Sequence, residues 1–152
     1  MNRIGTRTAI LLATLVLGLA GCGEDTVISP PPQNPQHIAV RYLLVAFAGT
    51  LPDTTVTRSQ AQAESLAVAL HVRALGGEDF GALTATYSDS PARDTIRIAN
   101  YGVVPASGEY ARNTLGRGFG DVAFALVPDS IGLVTYGATT SPYGWFLIHR
   151  VE

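Results

Sequence analysis

The chain has 152 residues, 47% of them hydrophobic and 14% charged, with a formal net charge of −2. That balance supports one folded domain with short appendages and excludes a wholly disordered chain. All ten basic residues are arginine and no basic cluster forms, which excludes an electrostatic nucleic-acid surface. A single cysteine, Cys22, excludes an internal disulfide framework.

Met1 to Arg7 is short and positive, and Thr8 to Ala20 is apolar. Small residues, Ala20 and Gly21, precede Cys22. This order is that of a secretory signal peptide over residues 1–21. The apolar stretch would reach only about 20 Å as a helix, short of the roughly 30 Å of bilayer hydrocarbon, so a spanning helix is not expected. Leu19-Ala20-Gly21-Cys22 resembles the bacterial lipobox, which implies cleavage before Cys22 and lipidation of its thiol. Acyl chains add about 0.8 kcal/mol per buried CH₂, so two or more hold a protein stably on a membrane. The alternative is a plain signal peptide with an incidental cysteine. Gly23 follows the cysteine, and by resemblance to enterobacterial sorting the absence of Asp there points to the outer membrane. Removing residues 1–21 leaves eight Arg against twelve acids, a mildly acidic balance of −4. Residues 22–37 carry Pro30, Pro31, Pro32 and Pro35, which oppose helix and favour an extended tether. Such a tether would span about 45 Å.

Residues 38–152 form the expected folded domain. Ile38 to Phe47 is an apolar, partly β-branched strand. Thr57 to Leu75 carries Ala63, Leu66, Ala67, Leu70 and Ala74 at helical spacing, with Thr57 and Gln60 spaced as a capping box and Gly76-Gly77 ending it. Asp79 to Tyr87 is a second, short helix, and a loop from Ser88 to Asp94 follows. Thr95 to Val104 reads as a strand, Pro105 to Gly118 as a Gly-rich loop, and Phe119 to Leu126 as a short helix. Ile131 to Tyr136 and Trp145 to Val151 read as two final strands. The order β-α-α-β-α-β-β predicts an α+β fold: a small, mostly antiparallel four-stranded sheet covered by helices.

Four pieces in this order resemble the parvulin-type peptidyl-prolyl isomerases. Arg41 to Val45 is similar to the family's opening strand. Gly77-Glu-Asp-Phe80 with Leu83 and Tyr87-Ser-Asp-Ser90 is similar to its "G-x-D-F…L…Y-S-D" segment. Phe119 to Leu126 is similar to the helix before its last two strands, and Ser141-Pro-Tyr-Gly144 to its "T-P-F-G-Y" signature. The resemblance implies a fold and an activity: rotation about X-Pro bonds, whose cis and trans forms are close in energy but separated by a barrier of roughly 20 kcal/mol. The reaction breaks no covalent bond. It needs a pocket for the pyrrolidine ring and surroundings that favour the twisted amide, and it requires no cofactor or metal.

By the same resemblance the proline pocket falls on Leu115, Phe119 and Phe124, with Ser141 at the signature loop. Each could instead fill the core, and for Phe124 that is the stronger reading. The polar centre departs from the family: its two usual histidines correspond to Tyr42 and Phe146, and its usual Cys or Asp after "S-D" to Ser90. Of the "G-G-D-L-G" turn, aligned with Ile98 to Gly102, only the last Gly remains. Tyr42 and Ser90 hydroxyls can both donate and accept, so they are expected to form a substitute network; Phe146 offers no such bond. Ala48 to Val56 has no basic residue, so phosphate selectivity is not expected. His37, His71 and His149 lack metal-ligand spacing, and His71 is expected at an exposed or amphipathic position. Gly116-Arg-Gly-Phe-Gly120 lacks the Lys of a phosphate loop and reads as flexible. Two functions remain open: a membrane-anchored isomerase acting on proline-containing, partly unfolded exported polypeptides, and a non-catalytic peptide-binding chaperone or scaffold using the same groove.

Overall fold

A computed structural model describes residues 34–52, 55–90 and 95–152. The stretch read as a signal peptide, Cys22 and most of the stretch read as a tether therefore lie outside the described residues. Among the described residues no helix is long and apolar enough to cross a membrane.

The described chain runs β1 (His37–Val45), α1 (Gln60–Leu75), α2 (Phe80–Tyr87), β2 (Ile96–Ala99), β3 (Glu109–Ala111), a 3₁₀ turn (Arg112–Thr114), α3 (Arg117–Ala125), β4 (Ile131–Val134) and β5 (Trp145–Arg150). The strands form one sheet in the order β3-β2-β1-β5-β4. The α+β class holds, with five strands among the described residues where four were expected. β3 adds to the edge of β2 in parallel, from inside the stretch read as a loop. All other pairings in the sheet are antiparallel. The strand read to Val104 stops at Ala99, because Asn100 to Val103 closes a turn in which Gly102 takes φ 74°.

β1 and β5 lie at the centre and bury both faces, which is why each reads as a nearly continuous apolar run. On one face Leu43, Val45, Trp145 and Leu147 meet Ala63, Ala67, Leu70 and Ala74 of α1 and Phe80 and Leu83 of α2. The three alanines let α1 lie close on the sheet. The capping box sits two residues later than its sequence signal: Ser59 Oγ accepts from the Gln62 backbone at 3.3 Å, and Gln62 Oε1 accepts from the Ser59 backbone at 2.7 Å. His71 is half-buried, the amphipathic rather than the exposed of the two positions expected, with Nε2 covered. His149 shares the Leu147 face, its ring 5.4 Å from Phe80.

On the other face Ile38, Val40, Ile96, Ile98 and Ile148 meet Phe119, Ala123 and Phe124 of α3. The helix begins at Arg117, two residues before its predicted start. Gly132 of β4 admits α3 closely; a Cβ there would lie 2.8 Å from Val122 Cγ1. At the far end of α3, the Arg150 guanidinium donates to the Leu126 carbonyl and to Glu152 O. Burial holds Arg150 below the ordinary arginine range, and a cation at a helix C-terminus complements the helix dipole.

The new edge strand is held by charge. Glu109 accepts from the Ala106 backbone and from His37 Nδ1, each at 2.9 Å, with Arg97 Nε 3.8 Å away. The backbone bond, then His37 and Arg97, hold its carboxyl below the ordinary glutamate value. A depressed folded-state pKa means the unfolded chain binds more protons in acid. The stabilisation is therefore fully present above the unfolded glutamate value and lost as pH falls through the folded one. Thermal melts from pH 6 to pH 3 should show Tm falling more steeply for the parent than for Glu109→Gln, and parallel curves would contradict this assignment.

Candidate prolyl-binding site

At the end of the sheet where β1 finishes and β5 begins, a hollow of about 550 Å³ opens between β1, β5, the 3₁₀ turn and the start of α3. Tyr42, Leu115, Phe119 and Phe146 form its aromatic and aliphatic wall, and among the described residues no charged side chain lines it. Three rings pack edge to face or tilted: Tyr42 to Phe119 at 5.6 Å, Phe119 to Phe146 at 5.2 Å, and Tyr42 to Phe146 at 6.0 Å. Phe119 is 6% exposed, so its neighbours fix the ring, and it still lines the hollow. A pyrrolidine ring can enter such a hollow without displacing any charge.

The polar centre is assembled from residues 48 positions apart. Tyr42 Oη and Ser90 Oγ lie 3.4 Å from each other, and both residues line the hollow. The segment after α2 is laced to β1 to achieve this. Leu44 N donates to Ser88 Oγ at 3.2 Å, Asp89 N donates to Leu44 O at 2.9 Å, and Ala46 N donates to Asp89 Oδ2 at 2.8 Å. The Arg58 guanidinium donates to the same Asp89 oxygen and to Ala46 O, the latter at 3.0 Å. The Tyr-Ser-Asp-Ser run thus serves as a clasp that delivers Ser90, and Asp89 is internally committed.

The Ser-Pro-Tyr-Gly loop forms the opposite lip. Ser141 lines the hollow, but its side chain is buried and its hydroxyl donates to Gly144 O at 2.8 Å, so it shapes the loop. Thr140 O accepts from Gly118 N at 2.9 Å, which seats the start of α3. A Cβ on Gly116 or Gly118 would lie 3.1 Å from that carbonyl, so the glycine-rich stretch is a site of close packing, not the flexible loop it resembled.

Of the residues expected at the site, Tyr42, Ser90, Phe146, Leu115, Phe119 and Ser141 all line the hollow, and Phe124 does not. Phe124 is five positions beyond Phe119, about 140° further round the helix, and its ring lies under the Arg112 guanidinium. Phe146 contributes an apolar wall with no hydrogen-bonding group. Leu51, Tyr110, Pro142 and Tyr143 at the hollow were not anticipated; Tyr110 arrives with the unforeseen strand β3. Among the described residues no group of three His, Cys, Asp or Glu is placed to hold a metal ion.

Helices on both faces of a mostly antiparallel sheet, with a largely apolar hollow between the sheet and α3, make a parvulin-like fold. The chain belongs to the PPIC-type PPIase domain family, whose model matches residues 30–152. Solved structures similar to it include the solution structure of TbPIN1, 21% identical, covering 77% of this chain and 98% of that one with a TM-score of 0.55. No curated protein matches the chain by sequence.

Proposed function

We propose that this domain catalyses cis–trans isomerisation of X-Pro bonds in unfolded or exported polypeptides, held at a membrane by lipid on Cys22. The observation that carries the reading is the uncharged hollow walled by Tyr42, Phe119 and Phe146, with the Tyr42–Ser90 hydroxyl pair at its edge. The prolyl ring would sit among the three rings, fixing one side of the amide while the preceding residue turns. Twisting removes amide resonance, so the carbonyl loses polarity and the nitrogen gains a lone pair. A low-polarity wall favours that state over the planar one, and a hydroxyl donor near the nitrogen stabilises it further. Each 1.4 kcal/mol of such preference is worth about tenfold in rate.

The test is a protease-free isomerisation assay on Ala-Pro peptides with the purified protein. Acceleration over buffer is expected, and Tyr42→Phe should lower it about three- to tenfold with peptide affinity unchanged, since only the hydroxyl is lost. No acceleration, with binding to unfolded chains retained, would replace catalysis by the binding-only reading. That second reading is favoured by one feature: Phe146 brings no hydrogen-bonding group to the centre. A peptide series should also show no gain from phosphoserine before proline, because among the described residues no cation lines the hollow.

The anchoring half of the proposal rests on Leu19-Ala20-Gly21-Cys22 and the proline-rich stretch after it. It places the domain in the cell envelope, on the periplasmic side of the outer membrane. In a bacterial host, metabolic labelling with a fatty acid should mark the parent and not Cys22→Ala. An unlabelled parent would remove the anchor.

A further inference from the structure

Arg112 lies outside the hollow, in the turn that leads to its wall residue Leu115 and beside the helix that carries Phe119. Its guanidinium carbon is 4.5 Å from the ring centroids of both Tyr101 and Phe124. Its Nη1 donates to Asn100 Oδ1 at 2.9 Å, and its Nη2 donates to Asp121 Oδ1 at 2.7 Å. Only 11% of the side chain is exposed, and its Nε is buried without a partner among the described residues. The stem is equally close-fitted: a Cβ on Gly120 would lie 3.0 Å from Arg112 Cγ.

These partners belong to segments that nothing in the local sequence joins. Asn100 and Tyr101 follow β2, while Asp121 and Phe124 are on α3. Asn100 is itself tied to the entry of β1, its side chain donating to Pro35 O at 2.9 Å and its backbone to Gln36 O at 2.8 Å. Arg112 also opens the 3₁₀ turn, and its carbonyl accepts from Leu115 N at 3.3 Å. Leu115 and Phe119 thus descend from the turn and the helix that this side chain links to the turn after β2, while Thr140 O seats the helix start from the other side. A nine-residue helix is too short to persist on its own, and α3 has no side-chain cap at its start.

We propose that Arg112 is the positioning residue of the prolyl hollow: by pinning α3 to the turn after β2, it sets where Leu115 and Phe119 stand. The inference deepens the proposed prolyl-binding role and rests on it for its functional consequence. A planar cation suits the place because it can stack between two rings and donate in its own plane at once; a lysine ammonium cannot. Arg112 is not a lining residue, so its effect on a bound peptide is indirect.

The test uses the whole protein with Arg112→Met and Arg112→Lys, and Leu70→Val as a control buried on the opposite face of the sheet. Arg112→Met should weaken binding of an Ala-Pro peptide about five- to twentyfold and move the amide NMR resonances of residues 115–120. Arg112→Lys should stay closer to Arg112→Met than to the parent. Leu70→Val should lower Tm and leave both readouts in place. Parental affinity in Arg112→Met, or an equal affinity loss in Leu70→Val at matched Tm loss, would overturn the proposal. A parent that binds no prolyl peptide would instead sink the prolyl-binding reading. The resonances of residues 115–120 would still decide the positioning claim, and their failure to move in either Arg112 variant would refute it.

Discussion

Replacing Gly144 with Ala is expected to destabilise the domain by roughly 3–5 kcal/mol and lower Tm by about 10–20 °C. Gly144 takes φ 138°, a region that residues with a Cβ avoid. An added Cβ would lie 2.2 Å from Val45 O and 3.0 Å from Ala46 Cα. Both are backbone atoms in or next to β1, so no side chain can swing aside. Relief requires parting the last β1–β5 pair, Val45 with Trp145, and Phe146 follows directly. The same substitution should therefore also lose prolyl-peptide binding. Gly49→Ala makes the informative comparison: φ is 87°, but nothing lies within 4 Å of the new Cβ. It should cost only about 1–2 kcal/mol. Calorimetry on the two variants decides the matter, and a Gly144→Ala loss no larger than that of Gly49→Ala would refute the close-approach argument.

The elements that carry strong periodicity or unbroken apolar runs were readable from sequence, because burial on one or two faces imposes those patterns. β1, α1, α2 and β5 fall within a few residues of their expected bounds. β3 was not readable. Glu109-Tyr110-Ala111 is too short to show alternation, and what makes it a strand is a partner strand earlier in the chain and a carboxylate held by Ala106, His37 and Arg97. The α1 capping box was missed by two residues because Thr57-Gln60 and Ser59-Gln62 carry the same spacing, and the local sequence does not choose between them.

The site divides along the same line. Tyr42, Phe119 and Phe146 were named by resemblance, and their convergence depends on tertiary placement: Tyr42 pairs with Ile148 and Leu44 with Phe146, which sets the Tyr42 and Phe146 rings on one face of the sheet, where Phe119 of α3 packs on them. The Tyr42–Ser90 contact follows from no local pattern in the chain; it exists because the clasp of Ser88, Asp89 and Arg58 carries Ser90 to β1. Phe124 stands in the core, which was the stronger of its two readings, and helix geometry gives the reason. A five-residue step on a helix turns a side chain well away from its starting direction, and a short apolar run conceals that until the helix is placed. Arg112 carried no signal at all, because its partners are scattered in sequence and its stretch reads as polar loop.

Phe119→Ala should weaken prolyl-peptide binding at least tenfold, under either the catalytic or the binding-only reading, and lower kcat/KM in parallel if the assay detects catalysis. The ring is the wall shared by Tyr42 and Phe146, 5.6 and 5.2 Å away, so its removal enlarges the hollow and frees both neighbours. Because the ring is nearly buried, truncation should also cost about 3–4 kcal/mol of stability. Phe119→Leu separates the two effects. It keeps most of the volume, and its stability loss should stay near 1–1.5 kcal/mol. The aromatic face is gone, and a ring contact worth about 0.5–1.5 kcal/mol goes with it. Binding should then fall about two- to tenfold in a protein that melts almost normally. Titration of an Ala-Pro peptide against parent, Phe119→Leu and Phe119→Ala gives the order directly. Equal affinities across the three would mean that no prolyl ring meets Phe119, and the hollow would lose its assigned ligand.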